Sequence, residues 1–152
     1  MKIRKFKKSD AQQVCEIIKR NDLEITSKDY PSKIIKFWFK ETTLEYILKK
    51  SKDRICFVFL DKKNVVGYIS FKDNEIMKLF VNPDYHGRGI GKRLEEKIEG
   101  YARKNKIKNL IVRSNIGSQK FYEKCGFRKT KIIYEKIDAG KFKEILMEKK
   151  LK

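Results

Sequence analysis

The chain has 152 residues, 40% of them hydrophobic, and its 39 Lys and Arg against 20 Asp and Glu leave a net charge of +19. That length fits one domain spanning residues 1–152, and that composition supports a packed core and excludes a disordered chain. No apolar run reaches the ~18 residues of a membrane span, and Met1-Lys2-Ile3-Arg4-Lys5-Phe6 lacks the apolar stretch of a secretory signal, so a cytoplasmic protein without a membrane partner is expected. Cys15, Cys56 and Cys125 are odd in number and widely spaced, which favours reduced thiols over a disulfide framework. The positive charge admits two readings: attraction to nucleic acid, a membrane surface or a phosphorylated ligand, or a solvated lysine-rich surface. The basic residues follow no stripe, which favours the solvated surface.

In chain order, Ile3–Phe6 reads as a first strand. Ser9 with Gln12 makes a capping box for a helix that buries Val14, Ile17 and Ile18. Polar Asn21–Ser32, with Pro31, reads as a loop. Ile34, Ile35, Trp38 and Phe39 form an apolar patch at helical spacing, and Thr42 with Glu45 opens a helix bearing Leu44, Ile47 and Leu48. After Ser51 the period changes to two. Ile55–Leu60, Val65–Phe71 and Glu75–Val81, joined by polar turns, predict an antiparallel meander. A helix follows from about Ile90 to Asn105, then a strand Asn109–Arg113 and a short helix Ser118–Lys124. A hairpin of Phe127–Glu135 with Glu144–Leu151 closes the chain. The class is α+β, a mostly antiparallel mixed sheet flanked by helices.

Between the third meander strand and the long helix lies Val81-Asn82-Pro83-Asp84-Tyr85-His86-Gly87-Arg88-Gly89-Ile90-Gly91-Lys92. Alternate glycines let the backbone turn several N–H groups inward, and the helix presents its positive end to the same spot. Pyrophosphate suits such a cradle. A Walker loop is excluded because Lys92 is followed by Arg93, and a dinucleotide fingerprint because the turn leaves an antiparallel meander. A purely structural turn remains the bland alternative.

His86 to Gly91 resembles the Gln/Arg-x-x-Gly-x-Gly/Ala signature of the GNAT superfamily of N-acetyltransferases, with His86 in place of the usual first residue. Leu79-Phe80-Val81-Asn82-Pro83 is similar to that family's Leu-Tyr-Val-x-Pro lead-in. Asn115 through Phe127 resembles its Asn-x-x-Ala-x-x-x-Tyr-x-x-x-Gly-Phe block, with Ser118 in place of the Ala. The resemblance covers Arg54–Leu151 well and the N-terminal third loosely. It implies an acyltransferase that binds acetyl-coenzyme A and passes the acetyl group directly to a primary amine. Leu79, Phe80 and Val81 would line the pantetheine arm and offer an oxyanion N–H. His86, Gly87, Arg88, Gly89, Ile90, Gly91 and Lys92 would hold the pyrophosphate. Asn115 and Ser118 would contact the pantetheine, and Tyr122 would sit near the sulfur as proton donor. Glu75 is the candidate base for the amine, with a solvated turn carboxylate as its alternative. Tyr122 could equally be a core aromatic beside Phe121.

A lone histidine leaves no metal cluster to expect, and Cys125 reads as a packing position. The runner-up function is a non-catalytic acyl-CoA sensor. A nucleic-acid binder rests on charge alone, so that partner is not expected, while a homodimer stays open. Acceptor choice is assigned to Asn21–Phe39 and Ile137–Phe142, the segments least like the family.

Overall fold

The computed structural model describes residues 1–152. Its strands are β1 (Lys2–Lys5), β2 (Ile55–Asp61), β3 (Asn64–Lys72), β4 (Glu75–Val81), β5 (Asn109–Ser114), β6 (Arg128–Ile137) and β7 (Gly140–Lys150). Its helices are α1 (Ala11–Glu24), α2 (Ser32–Glu41), α3 (Leu44–Ser51), α4 (Ile90–Lys104) and α5 (Gln119–Lys124). The seven strands form one sheet in the order β1-β2-β3-β4-β5-β7-β6. Every neighbouring pair is antiparallel except β4 and β5. The α+β class and the mostly antiparallel mixed sheet are as the sequence implies.

The parallel pairing of β4 with β5 joins Glu75 to Ile111 and Ile76 to Val112, and goes no further. On its other side, β4 carries a bulge: Ser70 pairs with Lys78 and Phe71 with Ile76, so Met77 is the extra residue. A bulge bends and twists its strand. Beyond it, Lys78 to Val81 run along β3 while their edge toward β5 is unpaired. The sheet is therefore split at its centre.

Two apolar layers cover the sheet. On one face α4 packs Ile90, Leu94, Ile98 and Ala102 against Phe57, Phe59, Ile69, Phe71, Leu110 and Met147. These helix positions recur every four residues and are at most 2% exposed, so each large one contributes about 2 kcal/mol by burial. On the other face α1 and α3 pack Val14, Ile17, Ile18 and Ile47 against Val58, Leu60 and Tyr68. A satellite cluster of Tyr30, Ile34, Ile35 and Phe142, with Trp38 edge-on to Tyr30 and Phe142, seats α2 over β7.

Some boundaries differ from the sequence reading. Helix α1 continues through Glu24, because Arg20 pairs with Glu24 at 2.8 Å and Asn21 Nδ2 donates to the Val81 carbonyl at 2.9 Å. Asn21–Ser32 is thus only in part a loop. Asp10, not Ser9, closes the start of α1, accepting the Lys7 N–H at 2.7 Å and pairing with Arg4 at 2.8 Å. Thr43 caps α3 by accepting the Tyr46 N–H at 3.1 Å, whereas Thr42 donates to the Trp38 carbonyl at 2.9 Å. The closing hairpin is longer than expected, turning at Asp138 and Ala139.

Candidate functional site

The glycine turn opens onto the split in the sheet. Asn82 begins it by accepting the Asp84 N–H through its side chain at 2.9 Å, and Arg20 bonds the same Asn82 oxygen at 3.0 Å. Gly87 and Gly89 have φ of +81° and +78°, a backbone that glycine adopts without a Cβ penalty. A Cβ on Gly91 would lie 3.0 Å from the Phe121 ring, so glycine there lets α4 approach α5. The backbone N–H groups from Gly87 to Lys92 have no carbonyl partner in the protein. They converge at the positive end of a four-turn helix, which suits a pyrophosphate.

From that turn a cleft of about 490 Å³ runs along the free edge of β4, between it and the Asn115–Cys125 segment. Leu79, Phe80, Val81, Gly91, Asn115 and Tyr122 are among its walls. The Asn115 oxygen accepts the Ser118 N–H at 3.0 Å, which leaves its amide N–H₂ free for a ligand. Tyr30 ties this segment to β7: its hydroxyl accepts the Ile116 N–H at 3.0 Å and donates to the Lys143 carbonyl at 2.6 Å.

A second cavity of about 180 Å³ continues past the bulge, closed by α1, α2 and β7. It shares Thr26, Leu79, Phe80, Asn115, Ser118 and Tyr122 with the cleft, so the two spaces meet there. Its distinctive feature is charge: Asp22, Glu41 and Glu144 face Lys78 and Arg113. Burial pushes the Glu144 carboxyl up to about 7; Glu135 and Glu75 push the same way, and Arg113 and Lys78 oppose it. Burial also raises Asp22 to about 7 against the attraction of Lys78. The Lys78 ammonium is lowered, mainly by burial. Tyr122 is 5% exposed, and burial, then Cys125 and Glu95, raises its phenol well above the ordinary value.

Of the residues singled out in the sequence, Leu79, Phe80, Val81, His86, Gly87, Gly89, Ile90, Gly91, Lys92, Asn115, Ser118 and Tyr122 line the cleft together. Arg88 does not: its guanidinium stacks 4.6 Å over the Tyr85 ring. His86 lines the cleft, and its Nε2 lies 2.9 Å from the Val81 carbonyl oxygen. Glu75 lines neither space. It sits 3.5 Å from Arg113, which also pairs with Glu135 at 3.0 Å. Sequence reasoning named neither Glu144 nor Asp22, though Asp22, Thr26, Trp38 and Phe142 of the cavity fall in the segments it assigned to acceptor choice. No group of His, Cys, Asp and Glu could hold a metal ion, and no helix is long and apolar enough to cross a membrane.

A profile of the acetyltransferase (GNAT) domain matches residues 22–151. An uncharacterized N-acetyltransferase of Methanocaldococcus jannaschii is 29% identical over 159 residues, covering 99% of this chain and 92% of that protein. The uncharacterized N-acetyltransferase YafP of Escherichia coli is 28% identical over 134 residues, 86% of this chain and 83% of its own length. Among solved structures, a GCN5-related N-acetyltransferase of Rhodopseudomonas palustris superposes with a TM-score of 0.93 at 22% identity, covering 99% of this chain and 95% of that one. The PaiA N-acetyltransferase of Thermoplasma acidophilum, solved in complex with coenzyme A, reaches a TM-score of 0.80 at 23% identity over 98% of each chain.

Proposed function

The chain belongs to the GNAT acetyltransferase family, and we propose that it transfers the acetyl group of acetyl-coenzyme A directly to a primary amine. One observation carries the reading: the cleft and the charged cavity meet at Leu79 and Phe80, on the unpaired edge of β4, and at Tyr122 of α5. A donor in one and an acceptor in the other would have their reacting groups side by side, with no covalent enzyme intermediate required.

The residues present fit the donor. The N–H groups of Gly87–Lys92 would take the pyrophosphate, and the open edge of β4 with the Asn115 amide would take the pantetheine. A β4 N–H would polarise the thioester carbonyl as its oxygen gains charge. Tyr122 holds its proton until the sulfur leaves, because burial keeps the phenol neutral at any working pH.

For the base we propose Glu144 in place of Glu75. A general base works best with a pKa near the operating pH, and Glu144 titrates near 7 in the cavity that it lines with Tyr122 and that would hold the amine. A primary amine of pKa ~10 arrives protonated, so a carboxylate facing it is needed before nitrogen can attack. The Glu144 carboxylate takes that proton, the N–C bond forms as the C–S bond breaks, Tyr122 protonates the departing thiolate, and the proton shed by the new amide nitrogen returns to the Tyr122 phenolate.

A thiol-release assay with acetyl-coenzyme A and a panel of amines tests the reading. Amine-dependent release with matching acetylated product is expected. Tight acetyl-coenzyme A binding with release that no amine accelerates would overturn it and leave an acyl-CoA sensor.

A further inference from the structure

Three charged side chains of the smaller cavity have no ion-pair partner and are half-buried or buried: Glu144, assigned above as the base, and Asp22 and Lys78. Asp22, in the last turns of α1, is 4% exposed, lines the cavity, and its Oδ2 has no hydrogen-bond partner. Lys78, on β4 next to the bulge, lines the same cavity. Its ammonium lies 5.6 Å from the Tyr46 ring centre and 5.9 Å from that of Phe80. None of the ion pairs of the chain joins Asp22 to Lys78, so their charged atoms stand more than 4.0 Å apart. Arg113, the other cation of the cavity, is occupied by Glu75 and Glu135. Glu41, the third carboxylate, is solvent-exposed.

A carboxylate and an ammonium taken from water each cost the fold free energy unless paired. Facing each other across a small cavity, they could close into an ion pair, yet they stand apart. The space between them has one unpaired acceptor on the α1 side and one unpaired cation on the β4 side. A ligand with one charge satisfies half of this arrangement and leaves the other half unmatched. A ligand carrying both charges a bond or two apart satisfies all of it. The cavity volume, about 180 Å³, limits that ligand to a small molecule or the end of one.

Resting on the transfer reading above, we propose that the acceptor is a small zwitterionic amino compound of the free α-amino-acid class, with its ammonium on Asp22 and its carboxylate on Lys78. Asp22 receives the incoming ammonium, Glu144 removes its proton, and Lys78 keeps the carboxylate turned from the thioester. A peptide N-terminus lacks the neighbouring carboxylate, and a diamine would set a second cation against Lys78. Both are rejected by the same two residues.

Binding and transfer are read separately. Calorimetry on the coenzyme A complex uses leucine, methionine and lysine as probes, with leucinamide as leucine without its carboxylate charge and putrescine as a diamine. At least one free amino acid should bind saturably, and its amide and putrescine at least tenfold more weakly. Lys78→Met should abolish the preference of leucine over leucinamide. Asp22→Asn should weaken both, and it should melt no lower than the parent because an unpaired buried charge is gone. Equal or tighter binding of leucinamide or putrescine overturns the proposal, as does amino-acid binding that neither substitution changes, or no amino-acid binding at all. The same panel with acetyl-coenzyme A separates the two readings. Amino-acid binding without thiol release from any amine sinks the transfer reading and leaves the zwitterion assignment. Thiol release driven by leucinamide or putrescine as well as by amino acids sinks the assignment and leaves the transfer reading.

Discussion

The proposed donor cleft and the proposed acceptor cavity share a wall but are built from opposite materials. The cleft offers a ligand backbone groups: the N–H groups of Gly87–Lys92 and the free edge of β4, supplied by one stretch of chain. Those groups are neutral and face the cleft, so they cost the fold little. The cavity offers side chains from α1, α2, β4, β5 and β7, several of them charged and held at unfavourable titration states. Its charges are retained at the expense of stability, which is common where residues serve a ligand. The two halves should accordingly fail in different ways when altered.

The largest effects are expected where the halves meet. Tyr122→Phe removes one hydroxyl and keeps the ring that packs edge-on to Phe121 and Phe127. Turnover should fall about 10²-fold or more, with acetyl-coenzyme A affinity nearly unchanged. Glu144→Gln should produce a loss of the same order and a changed pH profile. With Glu144 near 7, the parent rate should rise with pH through about 7 and level off above it. The Gln variant should lack that limb and recover only as the amine loses its own proton at higher pH. Steady-state kinetics across pH checks both. Full turnover by the Phe variant in a chemistry-limited assay would remove Tyr122 from the mechanism.

Smaller and of another kind is the effect of Gly89→Val. A β-branched residue at φ +78° is strained, which would displace the turn whose N–H groups are proposed to hold the pyrophosphate. Acetyl-coenzyme A affinity should drop at least tenfold, roughly 1.4 kcal/mol, by calorimetry on a variant whose circular dichroism is unaltered. Intact binding would make the turn purely structural and erase the contrast between the halves.

Smaller again, and visible without any ligand, is the stability carried by Asp22. Its folded pKa of about 7 lies above the usual 3.8, so the unfolded chain gives up this proton first. The fold is unpenalised below about 4 and loses stability as pH rises from there through about 7. Asp22→Asn should therefore melt several degrees higher than the parent near pH 8 and about equally near pH 4. A melting difference that does not grow with pH would mean that the Asp22 carboxylate is already satisfied within the protein.

These contrasts also explain what the sequence disclosed. The turn was legible because its chemistry is written in adjacent letters: Gly87, Gly89 and Gly91 between a strand and a helix. The bounds of β4 and the Asn115–Phe127 block were legible for the same reason. Glu144 was not, because it shares a cavity with Tyr122 only when the closing hairpin folds back to place β7 against β5. Nothing in its own neighbourhood distinguishes it from other glutamates of an alternating strand. Asn21 and Asp22 were misleading: two polar residues after an apolar stripe look like a helix end. In the structure both are buried, Asn21 to hold the Val81 carbonyl and Asp22 to face the cavity. The bulge at Met77, which splits β4 from β5, has no composition signal at all.

The smallest predicted effect is the most discriminating for the base. Glu75 was the candidate base in the sequence; it does not line the cavity, and it sits 3.5 Å from Arg113, which does. Arg113 is half exposed and keeps Glu135 at 3.0 Å, so losing Glu75 costs at most about 1 kcal/mol of pairing. Glu75→Gln should change turnover by less than about fivefold. It should still move the pH profile, because the negative charge of Glu75 is one of the groups that raise Glu144. Without it Glu144 loses its proton more easily, and the limb near pH 7 should shift to lower pH by a fraction of a unit, keeping its shape. A base would behave otherwise: its removal deletes the limb. Profiles of the Glu75→Gln and Glu144→Gln variants, measured side by side at saturating acceptor, thus separate a group that tunes the base from the base itself. A limb lost in the first and kept in the second would return the role to Glu75.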